Sequence, residues 1–173
     1  MKHPLQAAGL AALLALGAQP AAAGECRAQL RPLLTNPSPP AAELAAVRTR
    51  CRTEADAGDA DALYQLALFH LGLGGEWQPE AAVPMVTEAA AAGVPEAQYW
   101  LGWQHESGEL RPRDEAVALG WYQRAANAGH RLALARLADA YSAGELGLPR
   151  DPVRAAELRA QQARCLRPAL ETP

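Results

Sequence analysis

The stretch "WYQRAANAGHRLALARLADAY", residues 121–141, predicts the fold because it contains the end of one helix and the start of another. Its alanine-rich run closes on Gly129, and glycine readily adopts the left-handed conformation that ends a helix. A second apolar pattern with helical spacing begins directly afterwards. The stretch "VTEAAAAGVPEAQYWLGWQH", residues 86–105, repeats this arrangement with Gly93 in place of Gly129. The chain is therefore expected to contain helix pairs in series.

The arrangement recurs with a nearly constant period. Gly58, Gly93 and Gly129 each follow an alanine-rich run, and they are separated by 35 and 36 residues. Further positions keep the same offset, in four matched sets: Ala62, Ala97 and Ala133; Leu66, Leu101 and Leu137; Ala67, Gly102 and Ala138; His70, His105 and Tyr141. A regular period of this length is typical of helical repeat arrays.

Each unit is predicted to form two helices joined by a glycine-containing loop. In the last two units the second helix begins at a capping aspartate, Asp114 or Asp151. Upstream of the three units, a further helix is expected to start at Ser38 and Pro39 and to stop at Gly58. A helix pair this short cannot bury its apolar stripe alone, so the next pair must cover it. We therefore predict an all-α fold, a right-handed superhelix (solenoid) of about three helix-pair repeats with an N-terminal helical cap.

These positions resemble the Sel-1-like repeat family, which is related to the tetratricopeptide repeats. The middle unit carries the family pattern at eleven positions: Ala97, Leu101, Gly102, Gly108, Asp114, Ala118, Trp121, Tyr122, Ala125, Ala126 and Gly129. The resemblance implies that Trp121 and Tyr122 are a structural core pair. It also implies that the first helices of successive units line a concave binding face.

The outer units depart from this pattern. Met85 and Val86 stand at the Trp-Tyr pair of the first unit, where Pro84 is expected to bend the helix. Leu158 and Arg159 stand there in the last unit, which is expected to be a capping repeat. Some secreted, cysteine-rich members of the family are credited with binding or hydrolysing β-lactams, and this is the alternative function. The chain lacks the cysteines in each repeat that those members carry.

The N-terminal segment has the order of a secretory signal. A short positive start at Lys2 precedes an apolar run and small residues, with cleavage expected after Ala23. A lipidated Cys26 is the rival interpretation, although Glu25 is not the small residue that a lipoprotein signal has before its cysteine. We expect a periplasmic or secreted protein divided as follows: signal peptide 1–23, N-terminal helical segment 24–57, repeats 58–93, 94–129 and 130–166, and C-terminal tail 167–173.

The charge and composition of the chain exclude nucleic-acid binding, membrane insertion and several classes of enzyme. The 173 residues include 16 basic and 19 acidic side chains, a net charge of −3, and the scattered arginines form no basic patch for nucleic acid. Beyond the signal, no apolar run approaches membrane-spanning length, so no membrane insertion is expected after cleavage. Lys2 is the only lysine, which excludes S-x-x-K hydrolases, Schiff-base enzymes and P-loops for the exported part.

Export to an oxidising compartment would favour a disulfide. Cys26 and Cys51 flank the loop "TNPSPP", and short antiparallel helices on either side would bring them together. This pair is the favoured disulfide, and the alternative is three reduced or variably paired thiols. Cys165 is left over and is expected to be free or to pair between molecules.

Candidate catalytic and metal-binding groups are few. Ser107 with His105 and Asp114 forms a possible hydrolytic triad, but His105 falls on the tyrosine position of the repeat, which favours a packing role. His70 and His105 occupy equivalent positions, yet no H-E-x-x-H or C-x-x-C motif accompanies them. We therefore predict a protein that is not an enzyme and that has no catalytic residue, metal or cofactor.

A stripe beside the core positions of the first helices is the candidate binding site. A solvated face does not normally carry so many aromatic side chains, and such residues are the usual anchors of protein interfaces. The predicted partner-binding residues are Tyr64, Leu68, Tyr99, Trp100, Trp103, Arg136 and Asp139. Alternatively, Trp100 and Trp103 fill space between the repeats. Trp77 lies in a glycine-rich loop, either at the rim of the face or packed within the loop.

The stripe predicts a function in protein binding. We expect an exported, non-enzymatic scaffold or adaptor that holds a segment of a protein or peptide partner on its concave face. A structural module that self-associates through the ends of the solenoid is a further hypothesis.

Overall fold

The computed structural model describes residues 24–165, and this part of the chain is built from α-helices. It contains eight of them: α1 (Glu25–Leu34), α2 (Ala41–Asp56), α3 (Ala60–His70), α4 (Pro79–Ala91), α5 (Pro95–Ser107), α6 (Glu115–Asn127), α7 (Arg131–Ala143) and α8 (Pro152–Arg164). None of these eight is long and apolar enough to cross a membrane. The predicted signal segment 1–23 and tail 167–173 lie outside the described residues.

The helices pack in the order in which they occur along the chain. Each helix contacts the next, from α1 through α8, and α1 also contacts α3. The pairs α3–α4, α5–α6 and α7–α8 correspond to the three predicted units, and α1–α2 precede them. Sequential packing of this kind is the arrangement of a helical-repeat solenoid. The predicted all-α solenoid is thus confirmed.

Aspartate side chains cap the first helix of one repeat and the second helices of two others. The carboxylates of Asp59, Asp114 and Asp151 accept hydrogen bonds, at 2.9 to 3.0 Å, from backbone N–H groups three residues further on. Each bond satisfies one of the N–H groups that lack a helical partner in the first turn. Asp114 and Asp151 therefore cap their helices as predicted.

The start of α2 differs from the prediction. The helix begins at Ala41, after an extended Pro40, and not at Ser38 and Pro39. Proline disfavours helical backbone in the residue before it, and both Ser38 and Pro39 precede a proline. The helix can therefore begin only after the last proline of the loop. A proline inside a helix does not end it in α4, where the helix continues through Pro84 to Ala91.

One backbone hydrogen bond closes the loop of every repeat. The N–H of the residue before the second helix donates, at 2.7 to 2.8 Å, to a carbonyl at or near the end of the first helix: Gln78 to His70, Asp114 to His105 and Asp151 to Tyr141. The three acceptor residues form one of the matched sets that the sequence period defines. Their common feature is this backbone contact, which fixes where the second helix of each pair begins.

Small side chains form much of the core between the helices. Ten alanines are completely buried among the described residues: Ala67, Ala82, Ala89, Ala97, Ala118, Ala125, Ala133, Ala138, Ala140 and Ala155. Small contact residues let helix axes approach closely, toward the low end of the roughly 8–10 Å range. The core is divided into three clusters that follow the array from α1 to α8.

A glycine and a tyrosine join the two helices of the middle repeat. The ring of Tyr122 is buried against Gly102, and a Cβ atom built on that glycine would lie 2.7 Å from two ring carbons. Trp121 is half-buried and packs against the cluster formed by α3, α4 and α5, with the guanidinium of Arg124 4.7 Å from its ring centre. The Trp-Tyr pair is thus structural, as the resemblance implies.

A disulfide and a buried carboxylate fasten α1 to α2. Cys26 and Cys51, the favoured pair, are bonded and completely buried, and their Cα atoms are 4.7 Å apart. The N–H of Cys26 donates to both carboxylate oxygens of Glu54, at 3.1 and 3.2 Å, and Glu54 is also buried. Glu54 therefore caps α1 from another helix. The thiol of Cys165 is exposed and takes part in no disulfide within residues 24–165.

Candidate functional site

The candidate face is formed by the first helices of the units, and α1 belongs to it. Arg27, Asp61 and Glu96 lie at equivalent positions of α1, α3 and α5, with offsets of 34 and 35 residues. The Arg27 guanidinium contacts the Asp61 carboxylate at 2.7 Å and also contacts the Glu96 carboxylate. These ion pairs hold α1 beside α3 and α5. The sequence predictions leave α1 out of this face, although its offset of 34 residues continues the period.

An open depression lies between α1, α3 and the start of α5. It has a volume of about 390 Å³, and its lining residues are Arg27, Arg31, Leu34, Tyr64, Gln65, Leu68 and Glu96. Two of these, Tyr64 and Leu68, are predicted partner-binding residues. The other apolar wall comes from Leu34, which is 51% exposed.

Large apolar side chains continue from the depression onto α5. Trp103 is 39% exposed and lies 35 residues after Leu68, which itself lies 34 residues after Leu34. The three residues thus occupy equivalent positions on three successive first helices. We call Leu34, Leu68 and Trp103 the apolar row. Leu34 and Trp103 are exposed, and Leu68 between them is partly buried against the cluster of α1, α2 and α3. Exposed apolar side chains of this kind are expected on a contact surface.

The remaining aromatic residues of the stripe are partly buried. Tyr64 and Trp100 pack against the cluster of α3, α4 and α5. Tyr99 lies between the second and third repeats, with its ring centre 5.6 Å from that of Tyr122 and 4.8 Å from that of His130. These three side chains contribute to packing between repeats and expose only part of their surface.

The two charged residues of the stripe already have partners within the protein. Arg136 donates to Glu106, with Nε 3.0 Å from Oε1, and pairs with Glu145 at 2.8 Å. Burial opposes ionisation of Glu106, but hydrogen bonds from Arg136 and Tyr122 outweigh it and hold the pKa of this carboxyl below its usual value. Asp139 pairs with Arg159 at 3.2 Å. Their role as partner contacts stays a prediction.

The candidate triad is not assembled. Nδ1 of His105 lies 3.3 Å from the carbonyl oxygen of Pro112, the Asp114 carboxylate caps α6, and the Ser107 hydroxyl accepts from the N–H of Glu109. No hydrogen bond joins the three side chains within residues 24–165. In the same part of the chain, no three His, Cys, Asp or Glu side chains are grouped so that they could hold a metal ion.

His130 links the face to the third repeat. Its Nδ1 accepts a hydrogen bond from the N–H of Ala133 at 3.3 Å, which caps α7, and its ring packs against the ring of Tyr99 at a tilt of 31°. Burial lowers the pKa of His130, and the Glu96 carboxylate offsets only part of this effect. Protonation of Nδ1 would remove the hydrogen-bond acceptor and place a positive charge at a helix N-terminus, where it is unfavourable.

The stability of the protein is expected to fall as His130 is protonated. The pKa of His130 lies below 6.5, the value for an unperturbed histidine, so the unfolded chain binds more protons between the two values. The contribution of neutral His130 to the free energy of unfolding is complete above the pKa of the unfolded state. It is lost as the pH falls through the lower pKa of the folded state. Thermal unfolding measured from about pH 7.5 to about pH 5 should show a steeper decline for the wild type than for His130→Asn, because Asn also caps helices.

Comparison with known proteins identifies the family to which this helical array is similar. A family model described as the Sel1 repeat matches residues 60–94, 95–130 and 131–158, more than half of the chain. The crystal structure of a Sel1 repeat protein from Oxalobacter formigenes superposes with a TM-score of 0.61 at 34% identity, covering 67% of this chain and 87% of that protein.

A second crystal structure is that of a protective antigen present in uropathogenic Escherichia coli strains, c5321, which displays an SLR fold. It superposes with a TM-score of 0.63 at 29% identity and covers 82% of this chain but 31% of the antigen. The chain therefore spans about a third of the length of that antigen. The repeat model and these two structures confirm the resemblance seen in the middle unit, and the chain belongs to the Sel1 repeat family, whose members are in general non-enzymatic protein–protein interaction scaffolds.

Proposed function

We propose that this protein is an exported scaffold that holds a segment of a partner protein on the face formed by α1, α3, α5 and α7. The observation that carries the proposal is the apolar row. Leu34 and Trp103 are 51% and 39% exposed, and they stand at equivalent positions of helices that the array sets side by side. A bound segment that crosses these helices buries all three side chains of the row, which gives a hydrophobic driving force for binding.

Other residues of the stripe surround this row. Tyr64, Tyr99 and Trp100 are held by packing between repeats, so little side-chain entropy is lost when a partner covers them. Arg136 and Asp139 stand at the far end of the face, where their charges are already paired. We assign these two residues to the polar rim of the binding face.

The disulfide supports export. Disulfides persist in oxidising compartments and are rare in the cytosol. Cys26 and Cys51 are bonded and completely buried, and Cys26 lies three residues after Ala23, where signal cleavage is predicted. This supports the proposal that the protein is exported to the periplasm or outside the cell.

Trp103→Ala is expected to abolish most peptide binding by this face. Selection from a random peptide library displayed on phage, with the wild-type protein as bait, should yield peptides whose affinity falls roughly tenfold or more for the variant, because buried tryptophans are frequent binding anchors. Binding of the synthetic peptides, measured by fluorescence anisotropy, checks the expectation.

Val117→Ala is the matched control for this experiment. Val117 is 39% exposed, the same fraction as Trp103, but it lies on α6, which is a second helix. Loss of its side chain should leave peptide affinity unchanged. Peptides that bind the Trp103→Ala and Leu68→Ala variants as tightly as the wild type would show that the concave face is not the binding site.

A further inference from the structure

We infer that the bound segment carries an acidic side chain that pairs with Arg31, beside an apolar side chain that occupies the depression between α1 and α3. This inference rests on the proposed function and specifies the chemistry of the partner at one end of the face. It makes Arg31, on a helix outside the matched repeats, a specificity-determining residue.

The depression supplies the apolar part of the site. Leu34, Tyr64 and Leu68 contribute its apolar surface, and its volume of about 390 Å³ accommodates a large side chain. Leu34 is half-exposed in the free protein. A leucine- or phenylalanine-sized side chain placed there removes apolar surface of both partners from water.

The two arginines of α1 that line the depression differ in their pairing. The Arg27 guanidinium is held between the Asp61 and Glu96 carboxylates. Arg31 lies one helical turn further along and lines the same depression, but within residues 24–165 it forms no ion pair or side-chain hydrogen bond. The charge of Arg31 is therefore available to a partner.

Covering the depression makes a partner carboxylate favourable at Arg31. An apolar group that displaces water from this guanidinium imposes a desolvation cost, and a carboxylate with two hydrogen bonds to the guanidinium offsets it. A basic partner residue would instead be repelled. The two carboxylates of Asp61 and Glu96 exceed the charge of Arg27 by one, so a partner carboxylate is disfavoured there. The acidic residue therefore belongs at the Arg31 end, about 6 Å further along α1.

The carboxylate belongs to an aspartate or glutamate side chain within the segment. The apolar row continues from Leu68 to Trp103 on α5, so a segment that follows the row occupies the depression with one part and extends from it toward α5. A C-terminal carboxylate would place the end of the chain there. This is the alternative that the experiment must separate from an internal acid.

Peptide selection on charge variants of Arg31 tests the inference. Peptides enriched on the wild type should carry Asp or Glu within two residues of a large apolar residue, at an internal position. Arg31→Ala should weaken their binding about tenfold and reduce its dependence on salt, and Arg31→Glu should select peptides with Lys or Arg there instead. Arg52→Glu is the control, because Arg52 is exposed on α2, away from the depression, and the charge change is the same.

The outcomes separate the inference from the proposed function. Peptides that require Trp103 but bind Arg31→Glu as tightly as wild type, or that need only a free C-terminal carboxylate, overturn the inference and leave the function standing. If no selected peptide distinguishes wild type from Trp103→Ala, both fail. Acidic peptides that lose affinity with Arg31→Ala and not with Arg52→Glu support both.

Discussion

Gly102→Ala is expected to destabilise the protein by roughly 1–3 kcal/mol, although alanine is the better helix former. The added methyl group would lie 2.7 Å from two carbons of the Tyr122 ring, well inside van der Waals contact. Tyr122 cannot easily move, because its ring is buried and its hydroxyl donates to Glu106 at 2.7 Å. Unfolding by urea, followed by circular dichroism, measures the loss.

Gly120→Ala provides the matched control. Gly120 lies in α6, and a Cβ built on it would have no atom within 4 Å other than those of its chain neighbours and the adjacent backbone of its own helix. This substitution should stabilise the protein by roughly 0.5–1 kcal/mol through helix propensity alone. The opposite signs of the two glycine substitutions would show that the contact with Tyr122, and not the loss of glycine, causes the destabilisation.

A double-mutant cycle identifies the cause directly. In a Tyr122→Leu background the ring is gone, so Gly102→Ala should cost much less than in the wild type. If Gly102→Ala costs the same free energy of unfolding in both backgrounds, then the α5 helix itself requires Gly102, and the contact with the Tyr122 ring is not the reason.

Local patterns explain why the fold could be predicted from the sequence. Gly93 and Gly129 end helices through their own backbone freedom, and Asp114 caps α6 through a bond that spans three residues. Each signal acts within one or two turns and is repeated at the same offset. The fold then follows, because helix pairs with these small contact surfaces must stack on one another.

Contacts between distant residues explain what the sequence does not predict. Arg136 lies on the predicted stripe, yet the direction of its side chain depends on Glu106, which is 30 residues earlier in the chain. In the sequence, nothing distinguishes Glu54 from the other polar residues of α2. In the structure it is buried and caps α1 by accepting from the N–H of Cys26, which lies 28 residues earlier in the chain. No pattern within a helix carries either pairing.

The position of α1 in the binding face is only weakly indicated by the sequence. Its position relative to α3 continues the period, so extending the matched sets backward to Arg27 and Leu34 predicts the same face. The signal is weak because the loop between α1 and α2 contains no glycine, and because α1 lacks the Leu-Ala or Leu-Gly pair of the other first helices. In this pair of helices a disulfide joins α1 to α2.

Removal of that disulfide by Cys26→Ala and Cys51→Ala together is expected to cost about 3 kcal/mol, the typical effect of opening a loop of this size. The bond closes a loop of 25 residues and joins the first turn of α1 to the middle of α2. A ten-residue helix such as α1 is not stable alone in water, so its order depends on these attachments. Hydrogen exchange should show the loss first in the amides of Leu30 and Leu33, with protection falling roughly a hundredfold.

Cys165→Ala controls for the loss of a cysteine, because this thiol is exposed and is not in a disulfide within the described residues. Its stability and exchange should match the wild type. The double variant should also bind the selected peptides more weakly, because α1 contributes Arg31 and Leu34 to the depression. If α1 keeps wild-type protection without the disulfide, then Glu54, Arg27 and the buried leucines suffice to hold it. In that case the binding face does not depend on the disulfide.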